Sequence, residues 1–195
     1  MATFPGGERP SDIRLIREIR IFLASPSDVN DERRVVSDII SELNRTISPD
    51  LDVFIRLIRW EDMVPGVGKT AQQVILDQAD IESSDAFIEV LWNRFGTPTG
   101  QAASGTEEEF NLACKALRLH DRPRIMLYFC KRLSNLVMKD ELEQKQRVVA
   151  FKEKITGQAL FKEYESLEEF RSTLREDLTK YLLTFKTTGS LPILC

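Results

Sequence analysis

A chain of 195 residues that is 42% hydrophobic and 30% charged has the size and balance of a single globular domain with a sizeable core. No run of about 18 apolar residues is present to span a bilayer as a helix. The 27 basic and 31 acidic residues are interspersed rather than blocked, which argues against a surface built to neutralise nucleic-acid phosphates. The N-terminal MATFPGGERPSD lacks the charged and apolar regions of a secretion signal. The expected location is therefore the reducing cytoplasm, with Cys114, Cys130 and Cys195 as free thiols, of which Cys114 and Cys130, inside apolar stretches, pack rather than react. The single histidine, His120, falls at a helix end before DRPR and reads as a neighbour of a helix C-cap rather than a general base.

EIRIFLAS has the β-branched and aromatic content of a strand, and SPSDV breaks it and opens a helix with Ser27 or Asp28 as N-cap. Val35, Val36, Ile39, Ile40 and Leu43 then recur at helical spacing, with Arg33, Arg34, Asp38 and Glu42 on the opposite face, and the helix ends near Asn44. LDVFIRLIRW is a second strand, PGVGKT a loop, TAQQVILDQADI a second helix and DAFIEVLW a third strand. EEEFNLACKALRLH is a helix, RIMLYFC a fourth strand, 139–154 a charged helix and QALFKEY a weak fifth strand. In the final helix Leu167, Phe170, Leu174, Leu178 and Tyr181 form an apolar stripe, and Ser166 with Glu169 forms a capping box at its start. Five strands alternating with helices predict right-handed crossovers and a doubly wound, mostly parallel α/β sheet covered on both faces. The expected organisation is an extension over 1–17, one α/β domain over 18–186 and a tail over 187–195.

In such sheets ligands bind beyond the C-terminal ends of the strands. That rule selects SPSDV, WEDMVPGVGKT, NRFGTPTGQAASG and CKRLSN, two of which are glycine-rich. PGVGKT is not a nucleoside-triphosphate loop, because the first glycine of G-x-x-x-x-G-K-[ST] would fall on Met63. It reads either as a loop carrying the cation Lys69 to a helix start that could meet an anion, or as a plain connector.

The stretches IFLASPSDVNDERR, W-x-D-x-x-P with GKTAQQVI, SSDAFIEVLWNRFGTPTG and SGTEEEF occur in the order found in the Toll/interleukin-1 receptor (TIR)-like group of signalling and defence proteins, which this chain resembles over about residues 18–130. The resemblance implies a flavodoxin-like sheet of order 2-1-3-4-5. It also implies one of two activities: cleavage of the nicotinamide–ribose bond of NAD, giving ADP-ribose or a cyclic or conjugated product, or a non-catalytic interaction module. Carried over residue by residue, the implied site takes Ser25 and Ser27 from the first loop, Gly68 and Lys69 from the second, and Trp92, Arg94 and Gly96 from the end of the third strand. Glu109 would be its catalytic acid. In better-known members the glutamate lies some way into a helix after a serine or tryptophan, whereas here it follows S-G-T directly. That leaves the register open among Glu107, Glu108 and Glu109. The spacing S-G-T-x-x-E is also similar to that of nucleoside 2-deoxyribosyltransferases, which cleave a related bond, and it again selects Glu109.

Chemistry gives its own reason to want a carboxylate there. Cleavage between an anomeric carbon and a pyridinium nitrogen develops positive charge on the ribose, while nicotinamide departs neutral and needs no general acid. A unit charge at about 4 Å in an effective dielectric near 20 supplies roughly 4 kcal/mol, or about three decades in rate. Trp92 would stack on an aromatic ring of NAD, and Arg94 would meet the pyrophosphate.

Thr106 followed by Glu109 is equally the pattern of a capping box, and acidic residues in a first turn favour the helix dipole. Placing the helix by Phe110, Ala113, Cys114 and Leu117 points Glu108 outward, with Glu107 and Glu109 on the shoulders of the buried stripe. Three functions stay open: an NAD glycohydrolase or cyclase acting in antiviral defence, a TIR-like adaptor, and a deoxyribosyltransferase-like enzyme. The expected partners are NAD as substrate rather than cofactor, further copies of the chain on activation, and an additional effector or sensor protein; neither metal, nucleic acid nor membrane is expected. The two glycines of MVPGVGKT give the freedom that an order–disorder switch completed by a neighbouring subunit requires.

Overall fold

The computed structural model describes residues 15–64, 80–99, 102 and 104–187. Five strands form one all-parallel sheet: β1 (Arg17–Ala24), β2 (Val53–Ile58), β3 (Ala86–Leu91), β4 (Arg124–Cys130) and β5 (Phe161–Tyr164), in the order β2-β1-β3-β4-β5. The expected flavodoxin-like sheet order is the one observed. Four helices are described: α1 (Asn30–Thr46), α2 (Gly105–His120), α3 (Lys139–Ile155) and α4 (Leu167–Leu183). The predicted helix TAQQVILDQADI lies almost wholly outside the described residues, as do Gly68 and Lys69.

Strand periodicity divides the core in two. Ile19, Ile21 and Leu23 of β1 pack with Val35, Val36, Ile39 and Leu43 of α1 and with Phe170, Leu174, Leu178 and Leu182 of α4. Phe22 and Ala24 point the other way, joining Phe87, Leu91, Leu127 and Phe129 beneath Phe110 and Ala113 of α2 and Val148, Phe151 and Ile155 of α3. Phe151 clamps this second layer, with ring centroids 5.2 Å from Phe95 and 5.1 Å from Phe110. The α4 stripe runs on at i+4 to Leu182, while Tyr181 sits beside it and donates its hydroxyl to the Asp85 carbonyl.

Local details differ from the sequence reading where a side chain found a better partner. The α1 helix begins after Val29 without a side-chain cap, because Asp28 turns to the loop after β3. Arg33, expected on the solvent face, is buried beneath the loop after β1, where backbone carbonyls wait for a donor. At α4, Ser166 caps the Glu169 amide as expected, but the Glu169 carboxylate returns to the amide of Glu165, one residue earlier.

Candidate active site

Three loops at the C-terminal edge of the sheet and the start of α2 carry the candidate residues. In the loop after β1, the Ser25 hydroxyl accepts from Arg33 Nε at 2.8 Å. The other Arg33 nitrogens reach the carbonyls of Ser25 and Pro26, at 3.0 and 2.6 Å, and the Glu61 carboxylate, at 2.5 Å. Ser25 is thus engaged in fixing its own loop, while Ser27 is exposed. Asp28 ties this loop to the one after β3: its Oδ2 accepts from the amides of Asn93 and Arg94 at 2.9 and 3.0 Å, and its buried Oδ1 has no hydrogen-bond partner.

The loop after β3 is held from both sides. Trp92 is half-buried; its Nε1 donates to the Arg132 carbonyl at 3.0 Å, the Arg132 guanidinium stands 4.7 Å over its ring, and its own carbonyl accepts from Lys145 Nζ at 2.9 Å. These contacts tie the indole to the loop after β4. Burial holds the Lys145 ammonium below the usual lysine range. Arg94 projects into solvent. One side-chain amide, Gln144, then accepts from the amides of Phe95 and Gly96 and donates to the Gly96 carbonyl. Gly96 adopts φ +101°, and a Cβ built there would meet Ser104 Cβ at 3.4 Å and Thr106 Oγ1 at 3.6 Å. Glycine at 96 lets the chain pass against the start of α2.

That start is capped by Ser104, whose hydroxyl accepts from the Glu107 amide at 3.0 Å. Because Gly105 already belongs to the helix, Thr106 is not the N-cap and the Thr106–Glu109 capping box does not form. The buried stripe of α2 runs through Thr106, Glu109, Phe110, Ala113 and Ala116, and Leu117 is exposed. Glu109 therefore lies on the sheet-facing side, 7% exposed, rather than on a shoulder of the stripe. Glu107 pairs with Lys154 at 3.0 Å. Glu108, expected furthest out, is half-buried, with one carboxylate oxygen enclosed and unbonded.

Below α2 lies a residue that sequence reasoning missed. Glu89, in the middle of the wholly buried strand AFIEVL, is 1% exposed, and neither of its carboxylate oxygens has a hydrogen-bond partner. Its in-register neighbours are Ala24 on β1 and Leu127 on β4, and its alternation with Phe87 and Leu91 puts it on the α2 face. Burial pushes its carboxyl well above the usual carboxylate range, and the nearby charges of Glu109 and then Glu107 push the same way. The available signal was a lone carboxylate inside an apolar run. Sequence reasoning also missed Glu32, buried in the first turn of α1, which accepts from the Tyr164 hydroxyl and from Arg132.

The structure thus brings Gly96 against Ser104 and Thr106, buries Thr106 and Glu109 on one side of α2, which covers the sheet face that carries Glu89, and joins the backbones of Asn93 and Arg94 to Asp28. Trp92 pairs with the loop after β4 instead. Among the described residues no group of acidic, histidine or cysteine side chains is arranged to hold a metal ion, and no helix is long and apolar enough to cross a membrane. Chemically, the arrangement offers a carboxyl group at a helix start beside a second one sealed in the sheet.

Residues 20–179 match the family described as a domain of unknown function, DUF4062. No curated protein matches the chain. Among solved structures, translation elongation factor SelB from Methanococcus maripaludis in its apo form is similar over 87% of this chain and 35% of its own, at 15% identity and a TM-score of 0.45. An azoreductase from Bacillus anthracis str. Sterne is similar over 89% of this chain and 98% of its own, at 13% identity and a TM-score of 0.36. The chain spans about a third of the length of that elongation factor.

Proposed function

The chain belongs to the DUF4062 family, and we propose that it is a TIR-like enzyme that cleaves the nicotinamide–ribose bond of NAD, with Glu109 as the carboxylate that meets the ribose. The observation that carries this reading is the placement of Glu109: an acidic residue in the first turns of α2 that lies on the buried side of the helix, 7% exposed. A carboxylate under the ribose stabilises the charge that develops as nicotinamide leaves, and a water-poor setting strengthens that effect. The motifs SPSD, GKTAQQ, LWNRFG and SGTEEEF support the family of chemistry.

In this reading the remaining candidates bind rather than react. Exposed Arg94 meets the pyrophosphate as a charge-assisted donor. Trp92 walls the edge of the site, Gly96 permits close approach to the first turn, and Ser25 and Ser27 shape the opposite rim. Gly68 and Lys69, outside the described residues, are assigned to the same substrate by the TIR resemblance alone. Signalling or effector action in the cytoplasm, in defence against viruses, is the setting that the TIR resemblance suggests, with self-assembly as the activating step.

Incubation of the purified protein with NAD, followed by quantification of nicotinamide, tests the proposal, and release above the no-protein control is the expected result. Release of free base from deoxynucleosides without any nicotinamide from NAD would contradict it in favour of deoxyribosyl transfer. No turnover of either substrate at high protein concentration would contradict it in favour of an interaction module.

A further inference from the structure

Packing alone does not ask for a glutamine at position 144. The buried stripe of α3 runs through Val148, Phe151 and Ile155, and one turn before Val148 it reaches Gln144, where an apolar side chain would continue the core. The half-buried Gln144 amide instead directs its polar atoms to the loop after β3. Its Oε1 accepts from the backbone amides of Phe95 and Gly96 at 2.8 and 3.0 Å, and its Nε2 donates to the Gly96 carbonyl at 3.1 Å. Asp28 Oδ2 holds the two preceding amides, so the backbone donors of Asn93, Arg94, Phe95 and Gly96 are all taken by side chains from other elements. Successive amides of this kind form anion-binding concavities when they are free. Here they are engaged, and recognition of a pyrophosphate falls to the Arg94 side chain.

The loop fixed in this way bears on the start of α2. A Cβ built at Gly96 would stand 3.4 Å from Ser104 Cβ and 3.6 Å from Thr106 Oγ1, and the Thr97 carbonyl accepts from the Gly105 amide at 3.2 Å. The Phe95 ring packs on Phe151 of α3, which meets Phe110 of α2 edge to face. We propose that Gln144 is a positioning residue for the candidate site: by pinning Phe95 and Gly96 from α3, it sets the loop that carries Arg94 against the start of α2 that carries Glu109. A carboxylate stabilises the ribose cation only at a fixed distance from it, and a displacement of about 1 Å costs on the order of a hundredfold in rate. The inference rests on the reading of Glu109 as the catalytic carboxylate, and it adds a residue that neither the TIR-like motifs nor the spacing S-G-T-x-x-E contains.

Two measurements test it. The first needs no activity: hydrogen exchange of the intact wild-type protein, followed by NMR, should find the Phe95 and Gly96 amides protected although they lie in a loop. Rapid exchange there would overturn the clamp. Gln144→Met keeps the length and helix preference of the side chain and removes its polar atoms, so it should melt close to wild type while those two amides exchange about tenfold faster. The second measurement is the kinetics of nicotinamide release. Because Asp28 still holds the Arg94 end of the loop, Gln144→Met should lower kcat by about tenfold or more and leave KM within about threefold. Gln144→Glu, which keeps an acceptor for both amides, should recover the slow exchange and most of kcat. A residue that only packs would change melting and leave kcat where it was. Unaltered exchange in Gln144→Met, faster exchange with unchanged kcat, or a Gln144→Glu protein no better than Gln144→Met would each overturn the proposal. Exchange that responds as expected in proteins of which none, wild type included, releases nicotinamide would remove the reaction assigned above and leave the clamp standing.

Discussion

Position 89 sets the two demands on a buried side chain against each other. The folded state binds a proton at Glu89 more tightly than the unfolded chain, whose reference value is 4.5. The stabilisation that protonation provides is complete below that value and is lost as pH rises toward the folded-state value, by about 1.4 kcal/mol for each pH unit crossed. Glu89→Gln should therefore raise the melting temperature more at pH 8 than at pH 5, and parallel thermal scans at the two values check it. An equal shift at both would mean that the carboxyl is not held neutral. Glu89 could be seen in the sequence only as an anomaly, a lone carboxylate inside the apolar run AFIEVL. Burial of both faces of β3, which depends on helices from distant parts of the chain, makes it a core carboxyl. Arg33 was illegible for a related reason. Helical periodicity placed it outward, but the carbonyls of Ser25 and Pro26 draw its guanidinium inward.

At the scale of elements, strong periodic signals carried through, because they reflect which face meets the core. All five α1 positions expected to be apolar are buried, the five strands fall within or overlap the five segments read as strands, and α3 starts at Lys139 as expected. Caps were less legible, because several nearby side chains compete for the same amides. Asp28 was expected to cap α1 but bonds the backbone of Asn93 and Arg94, and at α2 the cap is Ser104 rather than Thr106. That two-residue difference decides the site, since it makes Glu107 the third helical residue and frees Glu109 from a capping role. Ser104→Ala should cost about 1 kcal/mol of stability and Ser104→Gly only a few tenths. Thr106→Ala should leave the helix start intact. Chemical denaturation of the three variants distinguishes the caps, and a Thr106→Ala loss as large as that of Ser104→Ala would return the N-cap to Thr106.

For the whole molecule, the alternation of strand and helix was enough to expect a parallel sheet, and the order β2-β1-β3-β4-β5 brings the loops after β1 and β3 side by side. The segment MVPGVGKT, placed by the TIR resemblance in the same site, runs beyond the described residues after Val64. If a neighbouring copy completes the site through that segment, specific activity should rise with protein concentration, and a flat dependence would mean that one chain suffices. The central claim is that Glu109 meets the ribose as a carboxylate, and Glu109→Gln removes its charge while keeping its shape. Nicotinamide release by wild type, Glu109→Gln and the control Glu108→Gln, with melting temperatures taken in parallel, measures that claim directly. The account predicts normal melting for all three, a rate for Glu108→Gln within about threefold of wild type, and a loss of about a thousandfold for Glu109→Gln. A Glu109→Gln protein that melts normally and still releases nicotinamide at more than about a tenth of the wild-type rate would contradict it.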